Sequence, residues 1–240
     1  MSRDLSERYF PFERLGLRGN PFRALTEDEW AALAWLHPAL LAALDQASPI
    51  LQILGASGRG KSSALLAVKR ELLARGREPH YLYLPPGMHR LKRDQQSGDP
   101  LLLDEIERLP PRSRRRLFRA ALGLPGKAPQ LVFSSHGDLA REVEAIQPGV
   151  LASIPLPPIT GGQLADLLHA RIRAESIAGD PPVWFDDQAI NLLIEYFGDD
   201  LRTMERTLYE AFQRLDAAGR IDRARLQRLV ELSGANLAPG

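Results

Sequence analysis

The sequence predicts an α/β protein: a parallel β-sheet with helices on both faces, followed by a helical C-terminal region. Three observations carry this expectation. Between Ser48 and Leu156 five short apolar runs alternate with helical stretches, the pattern of a doubly wound sheet. Each run is short and apolar enough to be a strand buried on both faces. After Pro158 the hydrophobic period becomes that of a helix, and no further strand is expected. With 240 residues, the chain suffices for one large domain or two modest ones.

In chain order, Thr26-Glu27-Asp28-Glu29 is a capping box. It opens a helix through Trp30, Leu33, Leu36, Leu40 and Leu44, which Pro38 is expected to kink or split. Trp30 and Trp35 are expected in the core. The predicted strands are Ile50–Leu54, His80–Leu84, Leu101–Leu103, Leu131–Phe133 and Val150–Leu156. Between them fall helices over Lys61–Arg75, Ser113–Leu122 and Asp138–Ile146. Residues 85–100, PPGMHRLKRDQQSGDP, hold too much Pro, Gly and polar character for a long helix. Four helices then follow over Gln163–Glu175, Asp186–Phe197, Asp200–Asp216 and Asp222–Leu232. In the second of these, Ile190, Leu193, Ile194 and Phe197 recur at spacings of three and four. The expected division is an N-terminal segment and helix (1–47) packing on the core, an α/β core (48–158) and a helical subdomain (159–240).

Composition narrows the function. Hydrophobic residues make up 44% and charged residues 25%, the balance of a folded globular chain. Lys+Arg 31 against Asp+Glu 30 leaves a formal charge of +1. That excludes a general nucleic-acid-coating protein but not a local basic patch. There is no cysteine, hence no disulfide framework, thiol nucleophile or cysteine-ligated metal. Arg3, Asp4, Glu7 and Arg8 stand where a signal peptide needs an apolar core. No apolar run approaches the roughly 18 residues of a membrane span. A cytoplasmic protein without membrane insertion is expected.

Gly55-Ala56-Ser57-Gly58-Arg59-Gly60-Lys61-Ser62 fits G-x-x-x-x-G-K-[ST], directly after the strand-like run ILQIL. The glycines let the loop wrap closely around a triphosphate and aim backbone N–H groups at its oxygens. Lys61 would reach the terminal phosphates, the Ser62 hydroxyl would ligate Mg2+, and the helix from Ser63 onward would point its positive end at the same phosphates. Some forty residues on, Leu101-Leu102-Leu103 runs into Asp104-Glu105. Asp104 would hold the metal through its water shell, and Glu105 would polarise a water for in-line attack on the γ-phosphorus. Two adjacent acids argue against a small-metabolite kinase, which needs no activated water.

These residues resemble an AAA+ ATPase over nearly the whole chain. The resemblance implies a P-loop NTPase fold with a five-stranded parallel sheet and a C-terminal helical lid, with ATP and Mg2+ bound and ATP hydrolysed. Leu131–His136 resembles the sensor 1 strand, with Ser134, Ser135 and His136 as candidates for the polar contact to γ-phosphate or water. Gly198-Asp199-Asp200-Leu201-Arg202 resembles sensor 2, with Arg202 aimed at the γ-phosphate; an arginine in a first helical turn opposes the helix dipole. Phe12–Leu25, with Asn20-Pro21-Phe22, resembles the N-terminal segment of ExeA-like ATPases and of transposition-associated ATP-binding subunits, where it packs near the adenine. The short connection between Leu84 and Leu101 departs from relatives that carry a helix there. Arg141 resembles the arginine finger that completes a neighbouring subunit's site, and Arg114–Arg116 are rivals.

Pro111–Leu122 holds five arginines. The sequence places Arg112, Arg116 and Arg119 on one stripe and Arg114 and Arg115 on another, as a solvated face, a phosphate-backbone patch or a subunit contact. His80, His89 and His169 show no metal-ligand spacing and are read as structural. The implied function is nucleotide-driven assembly or partner regulation, with a self-assembled oligomer, an effector protein and DNA as candidate partners. The alternative is an ATP-loaded scaffold or switch with little hydrolysis and no DNA binding.

Overall fold

The computed structural model describes residues 11–46, 48–88, 90–91, 100–124 and 129–232. His89 and most of the connection after it lie outside the described residues. The chain divides into two compact units, Thr26–Pro157 and a second built from Met1–Leu25 and Pro158–Gly240.

The first unit opens with α1 (Glu27–Leu33) and α2 (Pro38–Leu44). Thr26 caps α1 with the expected reciprocal capping box, and Pro38 splits the predicted helix by starting a new one at its first position. Then come β1 (Ile50–Leu54), α3 (Lys61–Ala74), β2 (His80–Tyr83), β3 (Leu101–Asp104), α4 (Pro111–Gly123), β4 (Leu131–Ser135), α5 (Ala140–Glu144) and β5 (Leu151–Pro155). The five strands form one parallel sheet in the order β2-β3-β4-β1-β5.

Side-chain alternation divides the core between the two sheet faces. Ile50, Leu101, Leu103, Leu131 and Phe133 pack with Leu117 and Phe118 of α4. Leu51, Ile53, Leu102 and Val132 pack on the other face with Leu65, Val68 and Leu72 of α3 and with α2. Because β4 pairs in register with both β1 and β3, the carboxyl ends of these three strands lie side by side. Ligands of open α/β sheets bind at such an edge.

Trp30 and Trp35 do not join this core. They are 39% and 53% exposed, because splitting the helix at Pro38 takes Trp35 out of helical phase and leaves α1 with no buried residue.

The second unit contains α6 (Gly161–Glu175), β6 (Val183–Phe185), α7 (Asp187–Phe197), α8 (Leu201–Phe212), β7 (Gly219–Ile221) and α9 (Arg223–Leu232). The expectation of no strand after Pro158 is corrected: β6 and β7 pair in parallel, each only three residues long and too short to show a period. Residues 11–25 are grouped with this unit, whereas the sequence expectation put the whole of 1–47 on the α/β core. Apolar character explains the placement, since Phe12, Leu15, Leu17 and Phe22 share one core cluster with Leu168, Phe185 and Phe212. The Phe22 ring meets Phe212 edge-on at 4.9 Å. Buried Arg171 donates to the carbonyls of Pro21 at 2.9 Å and Arg23 at 3.0 Å, and Asn20 donates to the Tyr209 carbonyl at 2.9 Å. Among the described residues, no helix is long and apolar enough to cross a membrane.

Candidate nucleotide-binding and hydrolytic site

The glycine-rich loop leaves β1 at Gly55 and returns to helix at Lys61. Gly58 and Gly60 have φ of +82° and +77°, a left-handed backbone that favours glycine. Gly60 is the N-cap residue of α3, so the loop delivers the chain straight into a helix N-terminus with its free N–H groups. Lys61 is buried, and its ammonium donates to the Ala56 carbonyl across the loop at 2.9 Å. Ser62 is partly exposed one position on. Ser63, beside it, accepts a 2.8 Å hydrogen bond from the Trp30 indole N–H, which ties α1 to the start of α3.

Asp104 ends β3 with its side chain 1% exposed. Both carboxylate oxygens are held: the Ser134 hydroxyl donates to Oδ1, and the Tyr81 hydroxyl donates to Oδ2 at 3.1 Å. Burial, and then the neighbouring Asp104 carboxylate, push the Tyr81 hydroxyl far above its ordinary pKa; it therefore stays a donor across the neutral range. The donor set suits a hard divalent cation: the Ser62 hydroxyl and the Asp104 carboxylate are oxygen ligands of the kind Mg2+ takes with its waters.

Glu105 has φ +63° and ψ +48°, the only positive φ outside glycine among the described residues. Such a conformation costs about 1–3 kcal/mol and persists where surroundings enforce it. Here its N–H donates to the Ser134 hydroxyl at 2.8 Å, so one serine fixes both acids. Arg108 Nη2 lies 3.2 Å from Glu105 Oε2, and His136 Nε2 lies 3.9 Å from Oε1. Arg108 in turn donates to the Tyr83 hydroxyl at 2.7 Å and the Leu84 carbonyl at 2.5 Å and lies over the Tyr83 ring. The hydrogen bond to Tyr83 raises the Arg108 pKa. The other ring nitrogen of His136 is 2.9 Å from Glu107 Oε1, which also accepts the His136 N–H at 2.9 Å.

The three sensor 1 candidates therefore part company. Ser134 faces Asp104 on the α3 side of the sheet. Ser135, one residue on, faces the other side and accepts from Gln52 Nε2 at 3.0 Å. His136 belongs to the Glu105–Glu107 network. Gln52, buried in mid-strand, also donates to the Gly137 carbonyl and accepts from the Leu139 N–H, pinning the chain as it leaves β4. Sequence reasoning missed Tyr81, Arg108, Glu107 and Gln52; only Gln52 left a signal, as the single polar residue of ILQIL.

The remaining candidates are placed as follows. Arg202 is exposed in the first turn of α8 in the second unit, behind Asp200 as N-cap residue. Arg141 is exposed on α5. Arg114, offered by the sequence as a rival arginine finger, is buried: it pairs with Glu142 and donates to the Leu109 carbonyl at 2.9 Å. An internally saturated arginine is unsuited to reach a neighbour, so Arg115 and Arg116 remain as rivals to Arg141.

No protein-family model matches the chain, and no curated protein matches it in sequence. Among solved structures, it is similar to Thermotoga maritima RuvB, a Holliday junction branch migration motor, with 17% identity over 86% of this chain and 68% of that one and a TM-score of 0.52. A variant of the same RuvB aligns with 17% identity over 87% and 69% of the two chains, with a TM-score of 0.53. Together with the five-stranded parallel sheet and its flanking helices, this likeness assigns the AAA+ P-loop NTPase fold. At 17% identity it is a likeness of fold.

Proposed function

We propose that the protein binds ATP with Mg2+ and hydrolyses it to ADP and phosphate, using the cycle to drive self-assembly or to regulate a partner. The observation that carries this reading is the convergence of a glycine-rich loop, Lys61, Ser62, a buried Asp104 and a strained Glu105 along one sheet edge. The loop N–H groups and Lys61 would neutralise the triphosphate, and Ser62 and Asp104 would hold Mg2+, which supplies charge neutralisation at the β- and γ-oxygens. Glu105 would take a proton from a water as its oxygen attacks the γ-phosphorus and ADP leaves in line. Ser134 acts through the two acids rather than on substrate. Arg202 and Arg141 are proposed as the γ-phosphate contact and the contribution in trans.

The engagement of Glu105 by Arg108 favours a low basal rate, which a partner raises by releasing the carboxylate; DNA and an effector protein are the candidate partners. The resemblance of Phe12–Leu25 to ExeA-like and transposition-associated subunits supports that class of role. Phosphate release with Mg-ATP tests the reading. Turnover that disappears with EDTA and in Lys61→Ala, together with weakened nucleotide binding in that variant, is expected. Turnover that survives Lys61→Ala would remove it.

A further inference from the structure

Helix α4 reads PRSRRRLFRAALG and carries no acidic residue. At 100° per residue, Leu117, Phe118, Ala121 and Arg114 share the inward face, and all four are buried. Arg112, Arg115, Arg116 and Arg119 fall within an arc of about 100° on the opposite side, and all four are exposed. This corrects the sequence assignment of Arg115 to the stripe of Arg114. None of the four makes an ion pair or side-chain hydrogen bond among the described residues. Other surface arginines do: Arg75 with Asp45 and Glu71, Arg220 with Asp186, Arg223 with Glu195.

The stripe works against the helix that bears it. Arg112 stands in the first turn against the helix dipole, and Arg112–Arg116 and Arg115–Arg119 are like-charge pairs at i,i+4. Such a face is stabilised by an external polyanion. We propose that the outer face of α4 binds the phosphate backbone of duplex DNA. The four positions span eight residues, a rise of about 10 Å, comparable with the axial rise of about three base pairs of duplex DNA. Arginine suits the contact because its planar fork pairs with phosphate oxygens in bidentate fashion. Contacts to phosphate carry no sequence information, so a face that binds the backbone alone is expected to bind independently of sequence. With a net charge of +1, the attraction has to come from a local patch rather than from the field of the whole chain.

The inward arginine connects the face to the hydrolytic site. Arg114 donates to the carbonyls of Glu107 at 3.4 Å and Leu109 at 2.9 Å, on the turn that carries Glu105 and Arg108. DNA held on α4 thus acts on the segment that engages Glu105; this last step rests on the proposed hydrolysis, whereas binding itself does not.

The test is fluorescence anisotropy with a labelled duplex, with and without a non-hydrolysable ATP analogue, across a salt series. Binding is expected to weaken about 10²-fold between roughly 50 and 200 mM salt, a log–log slope of about −2.7 to −3.6 for three to four phosphates. A scrambled duplex should bind equally. The variant carrying Arg112→Gln, Arg115→Gln, Arg116→Gln and Arg119→Gln should bind at least about tenfold more weakly with a slope close to zero, while its circular-dichroism melt matches wild type. Failure to bind at low salt with or without the analogue overturns the proposal, as does a variant with unchanged affinity and slope. Displacement of DNA by poly-glutamate as readily as by unlabelled duplex assigns the face to an acidic protein and overturns it equally. Because no arm requires turnover, an inactive but DNA-binding protein would refute only the hydrolytic reading.

Discussion

Ser134 connects more of the site than any residue the motifs name. Its hydroxyl donates to Asp104 and accepts the Glu105 N–H, so Ser134→Ala leaves a buried carboxylate short of one donor and the left-handed turn short of one anchor. Groups that orient a metal-holding side chain are worth about 10–100-fold in metal affinity or activity. Ser134→Ala should lower turnover and raise the Mg2+ concentration needed for half-maximal rate, with ATP binding retained. Ser135→Ala, which loses a bond to Gln52 on the far side of the sheet, should leave the Mg2+ dependence unmoved. Phosphate-release titrations with Mg2+ on both variants check this; a Mg2+ shift in Ser135→Ala alone would contradict it. Lys61, Ser62, Asp104 and Glu105 were legible because close phosphate approach and metal charge allow few residue types. Applying the two-residue strand period to LVFSS would have put Ser134 on the face of Asp104. Tyr81 and Arg108 were not legible, since strand order alone brings β2 beside β3.

At the scale of elements, local rules placed what local rules govern. The Thr26 capping box and the Pro38 break define α1 and α2, and the five apolar runs became five strands, although β2 and β5, at the sheet edges, are not buried on both faces as expected. The failures were β6 and β7, short strands whose pairing depends on tertiary packing, and the two tryptophans, left exposed when the break at Pro38 ended the helix they were expected to share. Helix α8 offers a separate test, because it positions Arg202. Asp200 caps it by accepting from the Thr203 N–H at 3.0 Å and hydroxyl at 2.7 Å, and the Thr203 hydroxyl leads in lowering the Asp200 pKa. A depressed folded pKa gives stability that is present above the unfolded aspartate value and lost as pH falls through the folded one. Asp200→Ala should therefore cost about 1 kcal/mol at neutral pH, and the gap in melting temperature should narrow below about pH 4 as the charge is lost. Asp200→Asn, which keeps an acceptor oxygen but loses the charge, should fall between wild type and Asp200→Ala at neutral pH and show no such pH dependence. A gap independent of pH would show that the carboxylate is not what caps the helix.

For the whole molecule, the open question is what completes the site from outside. Arg141 is exposed and without an ion pair among the described residues, on a five-residue helix, whereas Arg114 is committed internally. If Arg141 serves a neighbour, specific activity should rise with protein concentration. Mixing Arg141→Ala with Lys61→Ala subunits should then restore part of the turnover each lacks alone, since each supplies a different half of a shared site. Specific activity independent of concentration, from a protein that stays monomeric with ATP, would contradict assembly.

The central claim is that Glu105 activates the water that cleaves ATP, and Glu105→Gln tests it most directly because the amide keeps the shape and removes the base. Nucleotide binding and phosphate release are measured on the same preparation with Mg2+ present. The account predicts ATP binding like wild type with turnover lower by a factor on the order of 10² or more. Turnover equal to wild type would contradict it.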